Sequence, residues 1–205
     1  MDLMDVLSFS KVRKSFLNSV HILTFTGDKF SLVGWHSRIL QVWRVESNQV
    51  VMCGVLRHHV TGQEVCVVTT HLKARKGALL STLRSEQGQD ILTWLAPIVQ
   101  GRPVVMTGDF NAPPSEPVVS NVTSNDKLPL RSCYDLDTLG WTTWKIRDTG
   151  EEKYILDYMF HSTGNVETVS VLDTPDNVGE DRFPSLSFPS DHLSLVADLR
   201  LSTTQ

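Results

Sequence analysis

The sequence predicts an α/β domain built on a mixed β-sheet. Two observations predict it: six apolar runs rich in β-branched residues have strand length, and one long segment repeats its apolar positions with helical spacing. The predicted strands are residues 49–56, 64–72, 103–107, 153–160, 166–172 and 192–201. No internal repeat or linker divides the 205 residues, so we expect a single domain.

The first two predicted strands are joined by a turn at Thr61 and Gly62, which predicts an antiparallel hairpin. A helix is predicted over residues 78–99, and Pro97 should end or kink it. Its repeating positions are Leu80, Leu83, Gln87, Ile91 and Leu95. The low number of helices between strands predicts a mixed sheet with hairpins, not a doubly wound nucleotide fold.

A second, shorter helix is predicted after Ala112. Pro113 and Pro114 can occupy its first turn, because proline is tolerated at the start of a helix. Ser115 or Glu116 suits the N-terminus of such a helix. We therefore expect a short helix after the third predicted strand.

The charge balance argues against duplex nucleic acid as the partner. The formal net charge is -4, from 19 basic and 23 acidic residues. A domain that wraps duplex nucleic acid would be basic, so we expect phosphate to be met by a local cationic cluster and the partner to be small or single-stranded. The longest apolar runs fall far short of the ~20 residues of a membrane-spanning helix.

The cysteines predict a reducing compartment. Cys53, Cys66 and Cys133 are odd in number and widely spaced, and a buried reduced thiol behaves as a small hydrophobic group. Residues 1–20 show no uninterrupted apolar stretch of the kind found in export signals. We expect a cytoplasmic chain that binds no membrane.

Polar groups follow apolar strands at several places. After the strand that ends near Met106, Asp109 and Asn111 share one face while Phe110 points the other way, so a carboxylate and an amide face one point. The structural alternative is an Asx turn that closes the strand. His71 ends another predicted strand.

Three cations, Lys73, Arg75 and Lys76, follow His71. Lysine and arginine donate hydrogen bonds to phosphate oxygens, and arginine can do so with two parallel bonds. The cluster therefore suits a phosphate group. A solvated basic turn is the structural alternative.

Asp157 lies inside an otherwise apolar predicted strand. A lone buried carboxylate costs several kcal/mol unless it is paired, so it needs a partner, most simply a histidine. Asp191 and His192 open the last predicted strand, where an ordinary cap is the structural alternative.

Together these groups suit metal-assisted hydrolysis of a phosphoester. Oxygen ligands would hold Mg²⁺, a histidine–aspartate pair would activate water, and cations would neutralise the developing charge. Zinc is disfavoured, because the three cysteines form no closely spaced pair. A serine nucleophile finds no Gly-x-Ser-x-Gly turn.

Four motifs, in this order, resemble the endonuclease/exonuclease/phosphatase superfamily related to type I deoxyribonuclease. They are Thr70-His71-Leu72, Gly108-Asp109-Phe110-Asn111, Leu156-Asp157-Tyr158 and Ser190-Asp191-His192. The resemblance covers about residues 21–201. It implies a four-layer α/β sandwich of two packed mixed sheets flanked by helices. It also implies a family domain over residues 21–205, after a divergent segment at residues 1–20.

The resemblance implies catalytic roles for several of these residues. Asp109 and Asn111 would orient the attacking water and the scissile phosphate beside Mg²⁺, and Asn111 would also contact the substrate. Asp109 and Asp191 would be metal ligands. His71 would stabilise the phosphate in the transition state.

The resemblance also implies how the remaining groups act. Asp157 would pair with His192, which would be the acid–base histidine. Lys73, Arg75 and Arg147 would contact the substrate phosphate. Each of these roles is carried over from the motif that the residue matches.

Two further segments, Thr142-Thr-Trp-Lys-Ile-Arg147 and residues 182–192, are similar to one branch of the superfamily. This implies removal of the 2′-phosphate of NADP(H) by a monomer. The alternative enzyme is a 3′-to-5′ poly(A) exoribonuclease that acts on the 3′ end of single-stranded RNA. It would need aromatic residues that stack on bases, and Trp141 and Trp144 could either do so or pack in the core.

One departure from the family pattern concerns the metal. The family places a metal-ligating glutamate, and an asparagine before it, in strands that precede the matched region, whereas the first glutamate here is Glu46. We therefore expect the first strands to be missing and Mg²⁺ affinity and turnover to be lower. A truncated gene product, an alternative isoform and a catalytically inactive binding module are the alternatives.

Overall fold

A computed structural model describes the backbone of residues 5–8 and the whole of residues 23–175, 178–180 and 182–202. The strands before the first helix are β1 (Asp5–Ser8), β2 (Phe30–Val42), β3 (Val45–His58) and β4 (Glu64–His71). The helices are α1 (Ala78–Val99) and α2 (Pro117–Thr123), with β5 (Val104–Asp109) between them. The strands after α2 are β6 (Leu130–Ser132), β7 (Thr143–Arg147), β8 (Gly150–Tyr154), β9 (Asp157–Ser162), β10 (Val166–Val171) and β11 (Val196–Leu201).

The largest sheet has the order β2-β3-β4-β5-β9-β6. Among its described strands, β4 and β5 pair in parallel and the other neighbours pair antiparallel. A parallel pair needs a long crossover connection, and α1 provides it. The predicted mixed sheet is therefore confirmed, as is the antiparallel hairpin that turns at Gly62.

A second sheet has the order β1-β11-β10 and is antiparallel throughout its described strands. One hydrophobic core contains residues of both sheets, including Val166 and Leu199 from this sheet and Val67 and Val105 from the larger one. Strands β7 and β8 form a separate two-stranded hairpin. The predicted α/β class with packed sheets is confirmed. Only residues 5–8 of the predicted divergent segment are described, and their backbone pairs with β11.

Several strand predictions differ from the structure: β1, β2, β6 and β7 were not predicted, and the last predicted strand, 192–201, begins only at Val196. Strand β2 was not predicted, because its register shifts between Leu32 and Gly34 and this breaks the alternation of buried and exposed positions. The predicted strand 153–160 is two strands, β8 and β9, separated by Ile155 and Leu156. The chain changes partners there, from β7 to β5.

Helix α1 has the predicted bounds, but Pro97 lies inside it and the helix ends two residues later. Gln100 ends it in the left-handed conformation, with φ 48°. Helix α2 begins at Pro117, later than predicted, and the Pro113 carbonyl accepts a hydrogen bond from the Glu116 N–H in the preceding turn.

The three cysteines are free and buried. Within the described residues, no helix is long and apolar enough to cross a bilayer.

Candidate active site

Strand register places three of the predicted residues in one row. His71 at the end of β4 is the register partner of Asp109 at the end of β5, and Asp109 is the partner of Asp157 at the start of β9. Register partners in adjacent strands lie close together, so their side chains meet at one edge of the sheet. The three residues, which are far apart in the sequence, therefore form one cluster in space.

The close approach of β4 and β5 at this edge depends on Gly108. A Cβ atom at this position would lie 2.2 Å from the carbonyl oxygen of Thr70, which no other residue could tolerate without moving the backbone. Just beyond it, the N–H of Leu72 donates to the carbonyl of Asp109. The glycine of the Gly-Asp-Phe-Asn motif thus brings the two strand ends together.

Asp157 and His192 form a pair. His192 Nδ1 lies 2.7 Å from Asp157 Oδ2, and the two side chains are 12% and 13% exposed. The Thr142 hydroxyl donates to the same carboxylate oxygen at 2.7 Å and accepts the N–H groups of Leu156 and Asp157. The Asp157 carboxylate is therefore fixed by two partners. Sequence reasoning anticipated the histidine and missed Thr142.

Asp109 is 4% exposed and lies between two histidines. Its Oδ2 is 3.4 Å from His71 Nε2 and 3.8 Å from His192 Nε2. Its Oδ1 accepts the Asn111 N–H at 2.9 Å, which is the Asx turn given above as the structural alternative. The turn and the cluster coexist, because each uses a different carboxylate oxygen.

The backbone and the amide of Asn111 are both held in place. Its φ is 50°, a left-handed conformation that asparagine tolerates better than most residues. Its Nδ2 donates to the carbonyl of Leu72 at 3.1 Å. Asn111 is thus fixed between the ends of β4 and β5, close to Asp109.

Asp191 faces two cations of strand β7. Lys145 Nζ lies 3.1 Å from Asp191 Oδ2, and Arg147 Nη2 lies 3.8 Å from the same oxygen. His192 Nε2 is 3.9 Å from it, so Asp191 adjoins the histidine pair. Lys145 was missed as a site residue, although it shares the strand face of Arg147 at a spacing of two, which is the signal that could have found it.

Lys73 and Arg75 lie in the loop that follows His71 and β4. The Lys73 N–H donates to Gln87 Oε1 at 3.0 Å, and the carbonyls of Lys73 and Arg75 accept hydrogen bonds from Arg84. The Lys73 side chain is half-buried and that of Arg75 is exposed. The loop is therefore anchored to α1 through its backbone, and the substrate contacts of its cations stay a prediction.

The carboxylates affect a neighbouring tyrosine. Burial raises the pKa of Tyr158, and the charges of Asp157, Glu116 and Asp109 raise it further. Its hydroxyl donates to the carbonyl of Ala112 at 2.7 Å. Tyr158 therefore stays neutral and acts as a structural donor beneath the site.

Among the described residues, one group of side chains could hold a metal ion. Asp109, Asp157 and His192 each offer one ligand atom, and these atoms lie within 4.8 Å of one another. The resemblance implied a different pair, Asp109 with Asp191. Both sets share Asp109 and lie in the same cluster, and the chemistry of the donors, mainly carboxylate oxygen, suits a hard divalent cation.

Trp141 and Trp144, the two tryptophans considered above for base stacking, pack against other side chains. Trp141 is 2% exposed and contacts the rings of Trp144 and Phe183 edge-on or tilted. The Trp144 ring carries Lys153 Nζ at 3.9 Å from its centroid and the Arg182 guanidinium at 4.7 Å. Core packing, one of the two predicted roles, therefore accounts for Trp141.

Comparisons with known proteins agree with the geometry. Residues 24–192 match the Endonuclease/Exonuclease/phosphatase family. The chain is 40% identical over 200 residues to nocturnin of Drosophila melanogaster, a match that covers 85% of this chain and 31% of that protein. It is 26% identical over 179 residues to 2′,5′-phosphodiesterase 12 of Mus musculus, covering 76% of this chain and 29% of that protein.

A solved structure extends this comparison. The human nocturnin catalytic domain, determined with a bound sulfate anion, matches with a TM-score of 0.73 and 34% identity, covering 87% of this chain and 62% of that chain. The chain spans less than half the length of the curated nocturnins that it matches. The predicted resemblance to this family, and to its nocturnin branch, is confirmed.

Proposed function

The chain belongs to the endonuclease/exonuclease/phosphatase family, and on that basis we propose that it is a metal-dependent phosphoester hydrolase that removes the 2′-phosphate of NADP(H). The observation that carries the proposal is the pair of His192 and Asp157 beside the buried carboxylate of Asp109. Endonucleases, exonucleases and phosphatases all hydrolyse phosphoesters, and the nucleotide substrate is what the resemblance of residues 142–147 to one branch of the family implies.

The proposed reaction uses the two nitrogens of His192 differently. Nδ1–H donates to Asp157, so Nε2, which faces Asp109 and Asp191, can accept a proton. A water that attacks the phosphorus would give its proton to Nε2 while the bond from phosphorus to the ribose oxygen breaks. That oxygen takes up a proton from solvent. Asp157 keeps the imidazole in the required tautomer and stabilises its charged form.

Asp109 and Asp191 are the residues proposed to hold Mg²⁺, with Asn111 beside them. Mg²⁺ prefers oxygen ligands and, when bound, neutralises charge on a phosphoryl group. The cluster fits such an ion because Asp109 is buried among histidines, where a carboxylate needs a positive partner. His71 is proposed to donate to a phosphoryl oxygen.

The cations of the site support a small phosphorylated substrate. Lys145 and Arg147 lie at Asp191, and Lys73 and Arg75 are in the loop after His71. The chain as a whole is acidic, with a net charge of -4. A local cluster in an acidic chain favours a compact anion over a long polyanion. The human nocturnin catalytic domain was determined with a bound sulfate, an anion similar to phosphate in shape and charge.

The experiment that tests the proposal measures phosphate release from NADP⁺ with Mg²⁺ and with excess EDTA. We expect Mg²⁺-dependent release of one phosphate and formation of NAD⁺. Digestion of a labelled oligo(A) is the parallel assay. Shortening of oligo(A) without phosphate release from NADP⁺ would contradict the proposed substrate and support the exoribonuclease.

The exoribonuclease acting on single-stranded RNA is the second candidate. It is favoured by the match to a relative named as a 2′,5′-phosphodiesterase. It is disfavoured by the two tryptophans, because Trp141 is buried and Trp144 is already stacked by Lys153 and Arg182. A binding module without catalysis is the third candidate, and NADP⁺ binding without turnover in the presence of Mg²⁺ would support it.

The proposal also includes a monomer in the cytoplasm. The reduced, buried cysteines support a reducing compartment. Light scattering on the purified chain measures its mass against the 23.0 kDa of one copy. A mass near twice this value would contradict the monomer.

A further inference from the structure

The guanidinium of Arg84 is buried in the interior of the protein, on helix α1. The residue is 1% exposed. Its Nε and Nη2 donate to the two carboxylate oxygens of Glu116 at 2.9 and 2.6 Å. Its Nη1 donates to the carbonyls of Lys73 and Arg75 at 3.0 and 2.8 Å. All three guanidinium nitrogens therefore donate hydrogen bonds, two to the Glu116 carboxylate and two to the loop that follows β4.

Stability alone does not explain this arrangement. Taking an arginine and a carboxylate out of water costs several kcal/mol per ion, and apolar residues of similar volume often stabilise a protein as well or better. An apolar side chain, however, could not donate to the two carbonyls. The distinctive contribution of Arg84 is therefore the pair of hydrogen bonds to the backbone of residues 73 and 75.

The backbone of this loop follows an irregular path. Arg75 has φ 83° and Gly77 has φ 127°, so the loop between β4 and α1 passes twice through the left-handed region. A second side chain of α1, Gln87, accepts the Lys73 N–H and donates to Gln49 on β3. Side chains of one helix thus satisfy an amide and two carbonyls of the loop.

The geometry points to Arg84, held by Glu116, as a positioning residue that fixes the cations of this loop for a phosphate-bearing substrate. The inference rests on the proposed function, in which Lys73 and Arg75 bind the phosphate. Lys73 follows His71 by two residues, so a shift of the loop backbone moves this cation relative to the catalytic cluster. Arg84 itself touches no reacting atom in this scheme.

The test is the double variant Arg84→Met/Glu116→Leu, which removes both charges together and leaves neither one buried without its partner. We expect a melting temperature at or above that of the parent. Amide hydrogen exchange of residues 73–77 should become about tenfold faster or more, because local opening is easier. KM for NADP⁺ should rise about tenfold while kcat changes less than about twofold. This is the result expected when an interaction that binds the substrate and the transition state equally well is lost.

A matched control is Arg200→Met/Glu167→Leu, which removes an exposed ion pair between β10 and β11. This control should change neither the exchange of residues 73–77 nor KM. Should the first double variant fail to fold, Arg84→Lys keeps a charge opposite Glu116 but cannot make all four bonds, and faster exchange of the loop is again expected.

Unchanged exchange of residues 73–77 in a folded variant would overturn the positioning role. Faster exchange with KM unchanged would overturn its link to substrate binding. A parent chain that neither binds nor hydrolyses NADP⁺ would instead contradict the proposed function, and the exchange measurement would still decide whether Arg84 fixes the loop.

Discussion

Asp157 shows how a single polar residue in an apolar strand defines a site. It starts β9, whose other residues are buried, and its carboxylate has two side-chain donors, His192 and Thr142. Such a group is stable only while these partners remain, because an unpaired buried charge is costly. In the proposed mechanism the same pairing orients the imidazole for proton transfer. Stability of the strand and chemistry of the site therefore depend on one carboxylate.

Replacing Asp157 with asparagine keeps the shape of the side chain and removes its charge. We expect Asp157→Asn to lower kcat about 10²- to 10⁴-fold, because His192 loses the group that fixes its tautomer and stabilises its charged form. Phosphate release from NADP⁺ at saturating substrate measures the effect. Circular dichroism checks that the variant is folded. A folded variant with the kcat of the parent would contradict the assigned pair.

The buried His161 should make the free energy of unfolding depend on pH. Its ring is fully buried, Nδ1 donates to the carbonyl of Ser162, and Nε2 accepts from Arg131. Burial lowers the pKa of His161, and the Arg131 charge lowers it further. Below about pH 6.5 the His161 imidazole therefore binds a proton in the unfolded chain but not in the folded chain.

The free energy of unfolding should consequently be greatest above about pH 7 and fall as the pH decreases, with His161 contributing at most about 1.4 kcal/mol per pH unit. Urea denaturation at pH 5, 6, 7 and 8 measures this slope. In His161→Gln the stability at pH 7 should be lower, but the slope between pH 7 and pH 5 should be smaller than in the parent. Equal slopes would show that folding does not lower the pKa of His161.

The site was predictable from sequence where the polar residue interrupts an apolar run. Asp157 requires a partner for that reason, and the structure provides His192. Thr142 gave no such signal, since a threonine is common in strands and its role appears only when the chain brings it opposite Leu156. Arg84 looked like an ordinary polar position on a helix, and its burial depends on Glu116, 32 residues away.

At the scale of elements, the register of β4, β5 and β9 determines which side chains meet. Thr70 pairs with Gly108, and one step further His71 pairs with Asp109. A slip of one residue would turn these side chains to the opposite face of the sheet. The glycine that permits the close approach is therefore also a requirement for the site.

Gly108→Ala tests this dependence. The added Cβ would meet the Thr70 carbonyl at 2.2 Å, so the ends of β4 and β5 must separate. We expect a loss of about 2 kcal/mol or more in the free energy of unfolding, as for overpacked cores, together with loss of activity. Gly27→Ala is the matched control, because a Cβ there meets nothing within 4 Å. Equal stability of the two variants would show that the strand ends adjust freely.

The elements that the sequence predicted share a simple pattern. Helix α1 and strand β4 have uniform periodicity or apolar composition over their whole length, and their bounds were close to those observed. Strand β2 has a bulge and an exposed face, so its alternation is lost. The run 153–160, which was predicted as one strand, covers the end of β8 and the start of β9. The chain changes its pairing partner within this run, and nothing in the local sequence marks the change.

At the scale of the whole molecule, charge is distributed unevenly. The net charge is -4, yet Lys73, Arg75, Lys145 and Arg147 lie in the loop after β4 or on β7, near the carboxylate cluster. An acidic chain disfavours a long polyanion, whereas a local group of cations can bind a single phosphate group, which is the proposed substrate group. This distribution, more than any one contact, favours a small nucleotide as the substrate.

The dependence of binding on salt tests this distribution. KM for NADP⁺ at constant Mg²⁺ should rise as NaCl increases from about 0.02 to 0.5 M, because salt screens exposed charges such as Arg147, which is 53% exposed. Arg147→Ala should raise KM about three- to tenfold at low salt and make its rise with salt shallower. Arg200→Ala removes a similarly exposed cation on β11, away from the site, and should change neither quantity. A KM that is independent of salt in the parent would contradict electrostatic recognition of the phosphate, and equal salt dependence in Arg147→Ala and the parent would exclude this arginine from it.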